Sequence, residues 1–254
     1  MNWLASLAVD PHNSPVMIRR RFDAVFVDFY GTLVTGDRQA VERTCARFVR
    51  DHSLSLTAAR VATMWGHAFF GEIERANGEA FKDLYTCECD ALLTAFGASV
   101  GAFDPQPYAD MLKDYWCDPP IADGALEGLR AIDVPVYVVS NADTSDVRAA
   151  IDRRGLEVTG VITSQDARSY KPDAGIFETA LARAGVAADR VMHVGDSLHS
   201  DVAGAQALGL TACWICYEDR ILDIGDAVPC HKIRSIMHLQ PIVAGAEPRD
   251  ALTG

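Results

Sequence analysis

The sequence contains no apolar run long enough to cross a bilayer, no internal repeat and no low-complexity segment, which excludes a helical membrane protein and a repeat array. It is short of basic residues: 23 Lys and Arg stand against 35 Asp and Glu, a formal net charge of −12. Such a surface repels phosphate backbones, so nucleic acid is excluded as a general partner. Small anionic substrates remain open, because a metal ion can reverse the field inside a cleft. A disulfide framework is also missing. Cys45, Cys87, Cys89, Cys117, Cys213, Cys216 and Cys230 are scattered and odd in number, which fits a reducing cytoplasm rather than secretion. Cys213 and Cys216 have the spacing of a redox or zinc pair. They sit in an apolar run where neighbours three apart face opposite sides of a strand, and they read as structural thiols. Cys87 and Cys89 lack a second pair to complete a metal site. No basic segment precedes the apolar Trp3 to Val9, and Asp10-Pro11 follows, so this is a poor signal peptide. Met17 stands just before Arg19-Arg20-Arg21, and residues 1–21 read as an N-terminal extension.

What is present is an ordinary globular composition, 49% hydrophobic and 23% charged, over 254 residues. That length holds one full core and a smaller second unit. The organising stretch is Val25-Phe26-Val27-Asp28-Phe29-Tyr30-Gly31-Thr32-Leu33-Val34. A short apolar run delivers one carboxylate to a glycine-threonine turn and reads as a strand buried on both faces. An acid at such a place needs a cation or hydrogen-bond donors.

After this strand the pattern becomes helical. Asp37 to His52 carries Val41, Cys45, Phe48 and Val49 on one face, and Leu56 to Arg75 aligns Val61, Met64, Trp65, Ala68 and Phe69. A third helix is expected from Glu79 to Phe96, closed by Gly97 to Gly101, and a fourth from Pro105 to Trp116. From Pro119 the chain alternates strand and helix. Strands are expected at 134–140, 160–164, 190–196 and 210–217, with helices between them that start at Asp123, Thr144 or Ser145, Pro172-Asp173 and His199. The fold class is therefore α/β: a Rossmann-like parallel sheet with helices on both faces and an inserted all-helical cap. The core covers 22–34 and 119–243, the cap 35–118, and a flexible tail 244–254.

Several strands lead into polar groups: Asp28, then Ser140-Asn141, then Lys171 before Pro172, then Gly195-Asp196-Ser197 with Asp201. Each alone is ordinary, as a turn, a solvated loop or a helix cap. All of them at one edge of a parallel sheet make a site. With these four ordered motifs and a cap inserted after the first, the chain from Phe22 to Tyr217 resembles the haloacid dehalogenase-like hydrolase superfamily. The resemblance implies Asp28 as covalent nucleophile, Ser140 as a binder of the transferring group, and Lys171 as the cation that orients Asp28. It implies Asp28, Asp196, Asp201 and the Tyr30 carbonyl as ligands of Mg²⁺. Substrate contacts are expected from Ser140, Asn141, Lys171 and the backbone near Phe29 and Tyr30, because a phosphoryl group approaches a carboxylate only across positive charge.

One position departs from the phosphatase pattern. Those enzymes carry an acid-base aspartate two residues after the nucleophile, where this chain has Tyr30; a phenol could donate a proton there but is a poor base at neutral pH. The first motif, Asp-Phe-Tyr-Gly-Thr-Leu, also resembles that of L-2-haloacid dehalogenases, whose halide leaves without protonation. Asp196 and Asp201 turn the expectation toward a cytoplasmic, Mg²⁺-dependent phosphatase acting on a small phosphorylated metabolite. A metal-independent dehalogenase and a non-catalytic binding protein are the alternatives. His199 is a candidate proton shuttle, and His67, Arg75 and Tyr85 are candidate cap contacts.

Overall fold

Six short parallel strands form the centre of the computed structural model, which describes residues 21–217 and 225–245. The expected extension up to residue 20 and the expected tail from residue 246 lie outside the described residues. The strands are β1 (Ala24–Val27), β2 (Val136–Ser140), β3 (Gly160–Thr163), β4 (Val191–Gly195), β5 (Thr211–Ile215) and β6 (His231–Ile233), in the order β3-β2-β1-β4-β5-β6. β1 lies at the middle with all four residues buried. Val25 and Val27 face one core layer with Val136, Val138 and Leu129, while Ala24 and Phe26 face the other with Ile176, Phe177 and Ala205. Two buried faces explain why the strand is apolar without alternation.

The connections are helical. α5 (Ala125–Ala131) precedes β2, α6 (Thr144–Arg154) joins β2 to β3, and α7 (Ser164–Ala167) with α8 (Ala174–Ala184) leads to β4. A π-helical segment at Leu198–Ala203, continued by α9 (Gly204–Ala207), returns the chain to β5. The strand order reverses between β1 and β4, so their carboxyl ends flank the crevice where open α/β sheets bind ligands. Asp28 and Asp196 immediately follow those two ends.

Between β1 and β2 the chain leaves the sheet for four helices, α1 (Asp37–Asp51), α2 (Ala58–Arg75), α3 (Leu84–Val100) and α4 (Gln106–Cys117). They enclose a separate apolar cluster built on Phe48, Trp65, Leu92, Phe96 and Leu112. α2 begins where the Thr57 side chain accepts from the Arg60 N–H, and α3 where Asp83 accepts from Thr86. The third helix thus starts five residues later than its periodicity suggests, after a 3₁₀ turn at Gly78–Ala80. Gly97 lies inside α3, and Gly101, at φ 88°, ends it.

Two further local expectations are revised. The residue before α6 is Asp143, not Thr144 or Ser145, and its carboxylate caps another helix: it accepts from Leu84 N–H at 2.9 Å and Tyr85 N–H at 3.2 Å, the start of α3. The segment after Tyr217 supplies β6 and α10 (Leu239–Val243), neither of them legible as an element beforehand. Ile236 packs so closely on Gly128 that a side chain there would strike its backbone. Of the paired cysteines, Cys213 is fully buried and Cys216 half-buried. Among the described residues, no helix is long and apolar enough to cross a membrane.

Candidate active site

Asp28 leaves β1 with its N–H donated to Val194 O on the neighbouring strand, 2.8 Å away. Its carboxylate is buried and meets Lys171, whose Nζ donates to Asp28 Oδ1 at 2.7 Å. The same ammonium donates to Asp201 Oδ1 at 2.6 Å and to Val139 O at 3.0 Å. Those three bonds use every donor a lysine has, so its position is fixed. Burial works against the charge of Lys171, but Asp201 and Asp28 outweigh it and hold the ammonium pKa above its usual value. Burial pushes Asp28 upward, opposed by Lys171 and reinforced by the nearby Asp201 carboxylate. Asp201 also feels burial, yet Lys171 and His193 hold it well below the ordinary carboxylate range.

His193, on β4, was not anticipated. Its Nε2 lies 2.9 Å from Asp201 Oδ1, and Ser197 N–H donates to Asp201 Oδ2 at 3.0 Å. Asp201 is thereby a fixed anchor for the lysine. Two glycines admit the acids. Gly195 has no side chain where the Asp201 carboxyl group lies, and Gly31, at φ 83°, leaves room for the Asp196 carboxylate. Alanine at either place would collide with a carboxyl group.

Asp28, Asp196 and Asp201, all buried, each offer an oxygen within 4.8 Å of the others. Three carboxylates against one ammonium leave excess negative charge, and a set of hard oxygen donors suits Mg²⁺ rather than a thiophilic metal. The fit is best for Asp28 and Asp196, since both oxygens of Asp201 already accept protein hydrogen bonds. The residues present are therefore compatible with the ion.

The remaining sequence-predicted residues divide. Ser140 is at the buried end of β2, beside the Val139 carbonyl that holds Lys171. Asn141 binds protein rather than presenting a free amide: its Nδ2 donates to Lys171 O at 3.0 Å and its Oδ1 accepts from Lys171 N–H at 2.7 Å. These two bonds clamp the loop that carries the lysine, and Asn141 also lines a cavity between cap and sheet. Phe29 is fully buried, and only its backbone N–H reaches the Asp28 carboxylate. The Tyr30 hydroxyl donates to Trp116 O at 2.9 Å, so its proton is taken up by a cap carbonyl. Burial, with Asp146 nearby, raises its pKa further. The expected proton-donating role of the Tyr30 side chain is accordingly withdrawn.

His199 lines an outer cavity of about 250 Å³ next to Lys171. The cap residues singled out from sequence lie elsewhere. His67 and Arg75 are exposed, Arg75 pairs with Glu72, and the Tyr85 hydroxyl donates to Asp110. A second cavity, of about 200 Å³, lies between cap and sheet and is walled by Tyr30, Phe69, Phe70, Tyr115, Trp116 and Glu88 among others. Glu88 follows Leu84 by one helical turn on the face of α3 that lines this cavity, and that spacing was the available signal for it.

Burial pushes the Glu88 carboxyl from its ordinary 4.5 up to about 8. The folded protein then retains a proton that the unfolded chain releases. Stability falls as pH climbs through the window from 4.5 to about 8, by at most about 1.4 kcal/mol per pH unit. Glu88→Gln removes the titration. Its melting temperature relative to the parent should be similar at the acid end of that window and higher beyond the alkaline end; parallel melting curves across it would contradict this.

The comparisons with known proteins agree with this geometry. The chain is 25% identical over 227 residues to an (S)-2-haloacid dehalogenase of Pseudomonas fluorescens, covering 85% of this chain and 93% of that protein. Its fold matches the L-2-haloacid dehalogenase of Xanthobacter autotrophicus with chloropropionic acid covalently bound, with a TM-score of 0.71 at 18% identity over 89% of this chain and all of that one. It also matches the Bacillus subtilis hydrolase YfnB bound to magnesium, with a TM-score of 0.66 at 21% identity over 88% and 99% of the two chains. A family model for haloacid dehalogenase-like hydrolases matches residues 22–209, a span that runs from the strand before Asp28 to beyond Asp201. With Asp28, Lys171 and the two further acids meeting at one sheet edge within that span, the chain belongs to the haloacid dehalogenase-like hydrolase family.

Proposed function

We propose that this hydrolase acts by covalent displacement at Asp28 and that the bond it breaks joins carbon to halogen in a short 2-haloacid. The observation that carries this reading is the hydrogen bond from the Tyr30 hydroxyl to Trp116 O, which removes the proton donor from the position two residues after the nucleophile. A halide leaves as a stable anion and needs no such donor. The similarity to 2-haloacid dehalogenases points the same way. In the first step an Asp28 oxygen attacks the substrate carbon, and the carbon–halogen bond breaks with its electron pair on the halide. Water then adds to the carbonyl carbon of the Asp28 ester. Its collapse restores the carboxylate, frees a 2-hydroxyacid and releases one proton. Lys171 holds Asp28 in place for both steps.

The magnesium phosphatase expected from the fourth motif is a second reading, favoured by the three clustered carboxylates. Asp28, Asp196 and the Tyr30 carbonyl would hold the ion, which supplies the positive charge a phosphate ester needs beside a carboxylate. Single turnover in ¹⁸O-water separates the readings. Ester cleavage at the Asp28 carbonyl leaves label in the peptide that contains Asp28, with halide released from 2-chloropropionate in the presence of EDTA. Water attack on phosphorus leaves Asp28 unlabelled, and phosphate release from a monoester that EDTA abolishes would replace the first reading by the second.

A further inference from the structure

We propose that the cavity between cap and sheet is a receptor for an ammonium group, so that the substrate carries a cation on the end that the cap encloses. Five aromatic side chains contribute to its wall: Tyr30, Phe69, Phe70, Tyr115 and Trp116. Both tyrosine hydroxyls are tied to backbone carbonyls, Tyr30 to Trp116 and Tyr115 to Thr35, which fixes where their rings stand. Ring faces attract cations, and ammonium ligands are recognised by such enclosures.

Glu88 gives the enclosure its sign. Among the described residues its carboxylate has no hydrogen-bonding or ionic partner, although neighbouring glutamates such as Glu72 are paired twice over. The cavity wall holds a second acid, Asp37, and among the described residues no lysine or arginine. A carboxyl group surrounded by rings and lacking a counter-ion is costly to ionise, and its raised pKa reflects that. A bound ammonium would supply the missing charge. An anion would meet two acids and no cation.

Phe70 is the one large apolar residue of this wall that stays well exposed, at 41%. It lines both the inner cavity and the outer one beside Lys171, as expected of a side chain at the entrance. The inference rests on the proposed function only for which end of the substrate faces Asp28. With the reacting, acidic end of the substrate at the Asp28 edge of the sheet and a cation held in the cap, the substrate class is a small zwitterion.

Choline and its uncharged isostere 3,3-dimethyl-1-butanol, titrated calorimetrically into the full chain, test the charge requirement. Choline should bind about tenfold or more tightly than the alcohol. Glu88→Gln should remove most of that preference without lowering the melting temperature. Phe70→Ala, at an exposed position, should weaken choline by roughly 2- to 30-fold. Equal binding of choline and the alcohol, binding of propionate in place of choline, or an unchanged preference in Glu88→Gln would overturn the proposal. Choline binding without halide release from either 2-chloropropionate or a 2-chloro acid that carries a trimethylammonium group would instead leave the receptor standing and remove the dehalogenase reading.

Discussion

Asp28→Asn should abolish turnover, by roughly 10⁴-fold or more as for other nucleophile replacements, without loss of fold. The amide keeps the shape of the carboxylate but is a far weaker nucleophile, and no other described carboxylate takes its place. Asp201 is held by Lys171, His193 and Ser197, and Asp196 stands over Gly31 at the end of a different strand. The fold should survive because the substitution removes one of two buried carboxylates that share a single lysine. The melting temperature should therefore stay level or rise. Activity within about tenfold of the parent would remove Asp28 from the chemistry, and a collapsed melting temperature would show that its charge is structural.

Lys171→Met should fail differently, losing both activity and stability. The lysine is 3% exposed and binds two carboxylates and the Val139 carbonyl, so methionine leaves Asp28 and Asp201 facing each other without a cation. Removing one member of a buried ion pair costs about 3–5 kcal/mol. Asp201, whose charge depends on Lys171 and His193, then has only the histidine and a backbone N–H. Denaturant unfolding should show the loss in the midpoint with an unchanged slope. The double variant Lys171→Met with Asp28→Asn should recover part of it, because one of the stranded charges is gone. Stability equal to the parent in Lys171→Met would mean that solvent or an ion replaces the ammonium without cost.

The sheet and the chemical centre were legible in the sequence for one reason: parallel strands discharge their motifs at a common edge. Asp28, Ser140, Lys171, Asp196 and Asp201 could be placed together without coordinates, since each ends an apolar run or lies in the segment that follows one. What was not legible depends on how distant segments meet. Nothing near Tyr30 in the chain announces that its hydroxyl reaches Trp116, 86 residues away. Nothing next to Asn141 in the chain shows that both ends of its amide bind the backbone of Lys171, 30 residues on. Glu88, between two cysteines on a helix, looks solvated until α2 and α4 bring aromatic rings around it. β6 has three residues, one of them exposed, and follows Pro229 with no apolar run to mark it.

The contacts that fasten the cap to the sheet carry one more meaning. Asp143 holds the first amides of α3, Asn77 accepts from the Tyr170 N–H at 2.7 Å, and Phe81 stacks on the Tyr170 ring with centroids 5.5 Å apart. Tyr170 directly precedes Lys171, and Asp143 comes three residues after Ser140. These cap contacts and the charge centre are therefore built on the same two loops. Any displacement of the cap would break these contacts and remove one support of the loop that carries Lys171, whose ammonium stays bound to Asp28, Asp201 and the Val139 carbonyl. Reciprocity then means that a ligand which stabilises these contacts from the cap side also steadies the Lys171 loop, by the same free energy with which that loop steadies the ligand.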